Sequence, residues 1–329
     1  MRDEKKPVMH KTSVGGQALI EGIMMRGPRG AAMSVRLPDG TIDTEYKDYK
    51  QIKDKIKFLG WPIIRGVVSF IESMIFGYKC LMDSAEKSGL DMEDGDEEEM
   101  SKLDRWLSDH FGPKMMAVIS AVAMVLGLVL AFVLFFYLPA LIFDGLNALT
   151  KGGIAPFKGL IEGAMRILIF IVYIALVSQM KDIKRVFGYH GAEHKTIFCY
   201  EHGEELTVEN VRKQSRFHPR CGTSFIFVIL IISILFASLL LLIFPELGNP
   251  DNRILWICIK ILMLPVTMGV GYEFIRYAGR HDNWLIKALS APGLWMQRLT
   301  TKEPDDSMIE VGIAAFNAVI TDNPEDDAI

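Results

Sequence analysis

His190, Glu193 and His194 stand in an H-x-x-E-H string. On a helix, positions i, i+3 and i+4 share one face, so two imidazoles can hold a divalent cation while the carboxylate reaches a water activated by it. Zn²⁺ is the expected ion and Glu193 the expected general base. A catalytic zinc site needs a third protein ligand, and three residues are candidates: His218 and Cys221, just before the third apolar segment, and Glu273, which the fourth apolar segment carries to the same side. The bland reading stays open beside this one, because buried imidazoles are also satisfied by backbone carbonyls, and Glu273 has Arg276 and Arg280 as salt-bridge partners. Four of the seven histidines fall between His190 and His218. In the same loop Arg212, Lys213, Arg216 and Arg220 form either a solvated face or a surface for phospholipid head groups or a phosphorylated substrate.

Ile183, Val186, Phe187, His190, His194, Ile197 and Phe198 recur at steps of three and four, which predicts an amphipathic helix continuing directly from the apolar segment before it. That segment belongs to a membrane protein. Half of the residues are hydrophobic, mean hydropathy is +0.24, and residues 116–143 and 224–244 contain no charge at all. Each is long enough to cross about 30 Å of hydrocarbon. Residues 160–180, with Glu162 and Arg166, and 254–275, with Lys260 and Glu273, are also long and apolar enough to span. The expected fold class is mainly α and polytopic: four transmembrane helices, an interfacial amphipathic helix and a small N-terminal β-containing region.

Lys and Arg set the orientation. Thirty-one fall before the first span, in the 181–223 loop and after the last span, against three in the two remaining connections. Both termini and the histidine-rich loop are therefore expected in the cytoplasm. Residues 59–82 are long enough to cross, but Arg65, Ser69, Glu72 and Lys79 recur on one side, and a fifth crossing would reverse a terminus. An interfacial or re-entrant helix is expected there. The domain plan is 1–57, a cytoplasmic region with a β-hairpin around Pro38-Asp39-Gly40; 58–83, the interfacial helix; 84–115, an acidic linker and juxtamembrane helix; 116–275, the four-helix domain with its 181–223 loop; and 276–329, a cytoplasmic tail. Ser307 to Glu310 reads as a capping box opening a helix through Ile320, followed by a frayed end. Glycines near Arg26 and Arg29 fit tight turns better than a phosphate loop. Cys80, Cys199, Cys221 and Cys258 form no C-x-x-C pair, and reduced thiols are expected. A net charge of −4 gives no reason to expect nucleic acid as a partner.

The segments Gly15-Gly-Gln-Ala-Leu-Ile-Glu-Gly-Ile-Met-Met-Arg-Gly-Pro28, Trp61-Pro-Ile-Ile-Arg-Gly66, Tyr189-His-Gly-Ala-Glu-His-Lys195 and Ser215-Arg-Phe-His-Pro-Arg-Cys-Gly-Thr-Ser224 resemble the YqhQ-like family of bacterial multi-pass membrane proteins. The resemblance runs over nearly the whole chain. It implies a bacterial cell (inner) membrane location and a class, predicted metal-dependent enzymes of unknown function, with His190, Glu193 and His194 at the metal centre. The triplet is also similar to that of inverted-zincin peptidases, although nothing else in the chain resembles those large soluble proteins. The chain thus carries two functional expectations. The first is a membrane-embedded metal-dependent hydrolase, open to the cytoplasm and acting on a lipid-linked or membrane-protein substrate. The second is a non-catalytic scaffold that helps other membrane proteins insert or associate; membrane lipids are partners in either case.

Overall fold

The computed structural model describes residues 10–49, 56–89, 113–281, 283–321 and 323–328. The acidic stretch 91–99, expected to be a linker, lies outside them. The described chain divides into two compact units, one built from residues 1–89, 174–229 and 265–329, the other from 90–173 and 230–264.

The first unit contains a four-stranded antiparallel meander, β1 (Gly15–Leu19), β2 (Gly22–Gly27), β3 (Gly30–Arg36) and β4 (Ile42–Lys47), in spatial order β1-β2-β3-β4. The hairpin expected around Pro38-Asp39-Gly40 is the β3–β4 connection, with Gly40 at a φ of 86°. The glycine-rich opening is a second hairpin, β1–β2, which tight turns alone did not foretell. Period-two alternation gives the sheet two buried faces. Leu19, Met24, Met33 and Val35 pack with Cys80 of α1 (Ile64–Lys87), whereas Ile23, Met25 and Ala32 pack with Tyr189, Ala192, Ile309 and Phe316 on the other side.

In the second unit the first span is α2 (Pro113–Phe132), a π-turn (Val133–Tyr137) and α3 (Leu138–Leu149) in sequence. The second span contains α4 (Lys158–Val177). A break at Ser178 to Met180 then separates α4 from α5 (Lys181–Glu201), so the amphipathic helix is a new element and does not continue the span. Next come α6 (Val208–Arg212), α7 (Gly222–Ile243), α8 (Arg253–Leu262) and α9 (Leu264–Arg280). Among the described residues four helical stretches, 122–149, 155–177, 225–243 and 250–278, are long and apolar enough to cross a membrane, and α1 is not one of them. Their apolar windows are only 11 to 33% buried inside the chain, which leaves hydrophobic side chains for lipid. The chain is a mainly α membrane protein.

Inside the second unit Glu162, Asp144 and Arg166 each have a polar partner. Glu162 accepts from Lys260 Nζ at 2.7 Å and from Trp256 Nε1 at 3.0 Å, Asp144 takes Arg253, and Arg166 donates to the Phe135 carbonyl that the π-turn presents. Unpaired, each would be costly in hydrocarbon.

Residues 276–329 are more than a tail. After α10 (Trp284–Thr300), helix α11 (Asp306–Val319) buries Met308, Ile309, Val311, Ala315, Phe316 and Val319 in the first unit. Its cap is Asp305, whose carboxylate accepts from Met308 N at 2.9 Å, and Ser307 donates to that same carboxylate instead of capping. Residues 323–328, expected to fray, are held: Asp327 is buried, accepts from Thr12 Oγ1 and sits 2.9 Å from His10 Nε2, and Thr12 bridges to Ala328.

Candidate metal centre

The sequence of α5 puts His190, Glu193 and His194 on one face, and glycine lets that helix approach its neighbours. A Cβ at Gly191 would lie 2.1 Å from the Lys302 carbonyl, so only glycine admits the 300–304 segment there. This contact brings the Thr300 carbonyl to 2.8 Å from His190 Nδ1. His194 Nδ1 meets the Arg216 carbonyl at 2.6 Å. A carbonyl can only accept, so both Nδ1 atoms carry the proton and both Nε2 atoms hold the lone pair. His190 Nε2 lies 3.2 Å from Cys221 Sγ, and the buried His194 Nε2 has no hydrogen-bond partner.

His190, His194 and Cys221 each offer one ligand atom within 4.8 Å of the other two. A tetrahedral zinc site needs separations of about 3.3 to 3.6 Å, so small rotamer shifts suffice and the donor set fits. Cys221 sits 3.3 Å from Thr223 Oγ1 and 3.5 Å from its N–H. Burial alone would raise the thiol, but His194 and Thr223 outweigh it and hold the pKa below the ordinary value. Burial, together with the neighbouring His190, holds His194 below the usual imidazole range, again favouring a neutral ligand.

Glu193 is 5% exposed, and its carboxyl is pushed up to about 7, chiefly by burial, with His190 and the Gly16 N–H pulling the other way. Its Oε1 accepts from Gly16 N of β1 at 3.0 Å. A cavity of about 360 Å³ opens over these groups, lined by Val14 to Ala18, Val186, Phe187, His190, Glu193, His194, Ile197, His218 and Arg220 to Thr223.

The three candidates for the third ligand separate here. Cys221 joins the histidines. His218 lines the cavity, but its Nε2 faces Glu201 Oε2 at 3.7 Å and its main chain is gripped by Gln297, which accepts from His218 N at 2.8 Å and donates to His218 O at 2.7 Å. Glu273 is drawn into a two-pronged pair with Arg65 of α1 and does not join the cluster. Arg212 pairs with Asp306, Lys213 with Glu209, Arg216 with Glu303 and Arg220 with Glu201. Sequence reasoning missed Gly16, Gln297 and the two carbonyl anchors. A glycine pair in a strand was the one visible signal, since backbone acceptors carry no residue signature.

The family model described as "Protein of unknown function (DUF1385)" matches residues 61–322. A protein of Bacillus subtilis (strain 168), named "Uncharacterized protein YqhQ", is 36% identical over 311 residues, covering 93% of this chain and 92% of that relative. No solved structure matches.

Proposed function

The chain belongs to the DUF1385 family, and we propose that it is a membrane-bound metal-dependent hydrolase built on His190, His194, Cys221 and Glu193. One observation carries this reading: both histidines are fixed by backbone carbonyls so that their two Nε2 lone pairs and the Cys221 thiol offer three ligand atoms within 4.8 Å of one another. Zinc bound there supplies Lewis acidity, making a nearby water more acidic and polarising a carbonyl. Glu193 then takes the water's proton and passes it to the leaving group. Gly16 N–H holds one carboxylate oxygen and so fixes the orientation of the base.

The site faces the cytoplasm on this reading. Four crossings put residues before the first span, between the second and third, and after the fourth on one side, and those are the segments that fold together as the first unit. The segments of that unit hold 28 of the 31 basic residues on that side. Helix α1 leaves Ile71, Met74, Ile75, Tyr78 and Met82 exposed along one side, which suits a helix seated on the lipid interface. A lipid-linked or membrane-protein substrate fits that placement.

The same exposed side would serve the alternative, a non-catalytic assembly protein that grips other membrane proteins. Metal separates the two. Elemental analysis of detergent-purified protein should give about one zinc per chain, lost in His190→Ala and His194→Ala and kept in Glu193→Gln, which should abolish hydrolysis. A metal-free parent, with function falling only in proportion to folded protein in Glu193→Gln, would leave the assembly reading standing.

A further inference from the structure

One wall of the cavity is the edge of a sheet. β1 is outermost in the order β1-β2-β3-β4, and Val14 to Ala18 line the cavity in an unbroken run. The register pairs Leu19 with Gly22, Gln17 with Met24 and Gly15 with Arg26. Main-chain groups of a strand alternate in direction, so when Gly16 N–H points outward to Glu193, Ala18 N–H points outward as well. Among the described residues, Ala18 N–H and the carbonyls of Gly16 and Ala18 have no hydrogen-bond partner. Gly15 and Gly16 are exposed and carry no side chains that would cover the edge. The Glu193 carboxylate takes, at Gly16 N–H, the place that a neighbouring strand's carbonyl would hold.

We propose that the cavity binds an extended polypeptide, which adds to β1 as a fifth strand through Ala18 and lays a peptide bond beside Glu193, His190 and Cys221. Cleavage of the bound strand rests on the hydrolase reading. Water adds its oxygen to the carbonyl carbon, the C–N bond breaks, and Glu193 carries the water's proton to the leaving nitrogen, with no oxidant or reductant needed. The chemistry of the wall selects this class. Unpaired N–H and C=O groups at strand spacing match amides, whereas the cation closest to the cavity, Arg220, is already paired with Glu201 and leaves little charge for a phosphate group. Recognition through main chain also tolerates many side-chain sequences.

The test separates binding from cleavage. Full-length protein in detergent, with chelator present to stop hydrolysis, is titrated against a pool of fluorescein-labelled decapeptides of randomised sequence. Ala18→Pro removes the outward N–H and leaves the β1–β2 ladder whole, because proline is tolerated where an edge N–H faces away from the sheet. We expect anisotropy to report saturable binding, weakened by about tenfold or more both in Ala18→Pro and when the pool is N-methylated along its backbone. Equal binding of the plain and N-methylated pools, or no binding to the parent, overturns the proposal. If Ala18→Pro fails to fold, the N-methylated pool on the parent decides alone. Discrimination between the pools by a parent that elemental analysis, before any chelator is added, finds to carry no metal would sink the hydrolase reading and keep the strand-addition site.

Discussion

Glu201 ends α5 and is fully buried, and it ties together the two segments that frame the metal centre. Its Oε1 accepts from Thr12 N at 2.9 Å and from the Arg220 guanidinium, and its Oε2 lies 3.7 Å from His218 Nε2. Burial by itself would raise this carboxyl, but His218, Arg220 and the Thr12 N–H outweigh it and hold the pKa below the usual range. Glu201→Gln keeps the shape and the acceptor for Thr12 while removing the charge that faces Arg220. A fully buried pair broken on one side costs about 3 to 5 kcal/mol. Arg220 keeps 21% of its side chain exposed and can take up water, so the expected loss is smaller, about 2 kcal/mol. For a folded unit of moderate size that lowers Tm by roughly 4 to 8 °C. Arg220 directly precedes Cys221, so its release should also weaken zinc binding by about tenfold.

Tryptophan-monitored melting in detergent reads the first effect, and zinc titration against a competing chelator reads the second. The double variant with Arg220→Met should lose less than the sum of the single losses, by about 1 kcal/mol or more. Acid supplies an independent check with a fixed sign. A carboxyl of lowered folded pKa contributes stability above the ordinary carboxylate value and loses it as pH falls through the lowered one, so parent and Glu201→Gln should converge in acid. Unchanged melting at neutral pH, or strictly additive losses in the double variant, would refute the idea that this pair holds the 215–221 segment in place.

In the second unit, Lys260→Met should cost about 2 to 4 kcal/mol in detergent melting, because Glu162 keeps only the Trp256 N–H and Lys158 at 3.9 Å. Adding Glu162→Gln should recover much of that loss, and failure to recover would mean that the ion pair is not what the span packing depends on. Asp305→Ala should cost about 1 kcal/mol by uncapping α11. Burial opposes ionisation of Asp305, but Ser307 and the Met308 N–H hold its pKa below the usual value, so the cap contributes above the ordinary carboxylate range and fades as pH drops through the lowered one. A pH-independent difference between Asp305→Ala and parent in urea unfolding would contradict that assignment.

Hydropathy alone located the four spans, because a chain that leaves water must satisfy its backbone locally and present apolar side chains over a fixed thickness. The β3–β4 hairpin was legible in Pro38-Asp39-Gly40 for a similarly local reason, and the shared face of His190, Glu193 and His194 comes from helical spacing. Contacts between segments far apart in the chain lay beyond sequence. Cys221 rather than Glu273 stands with the histidines because Gln297 pins the main chain at His218 and Arg65 claims Glu273, and neither interaction has a local signature. The break between α4 and α5 escaped the sequence, because the periodic positions start at Ile183 and nothing before them marked the turn at Ser178 to Met180. The last residues looked polar and frayed, yet Asp327 is buried against Thr12 and His10, at the far end of the sequence. Composition and period fix what each segment can bury. Which partner it buries against is a matter of tertiary packing, and there the two carbonyls that aim the imidazoles of His190 and His194 were decided.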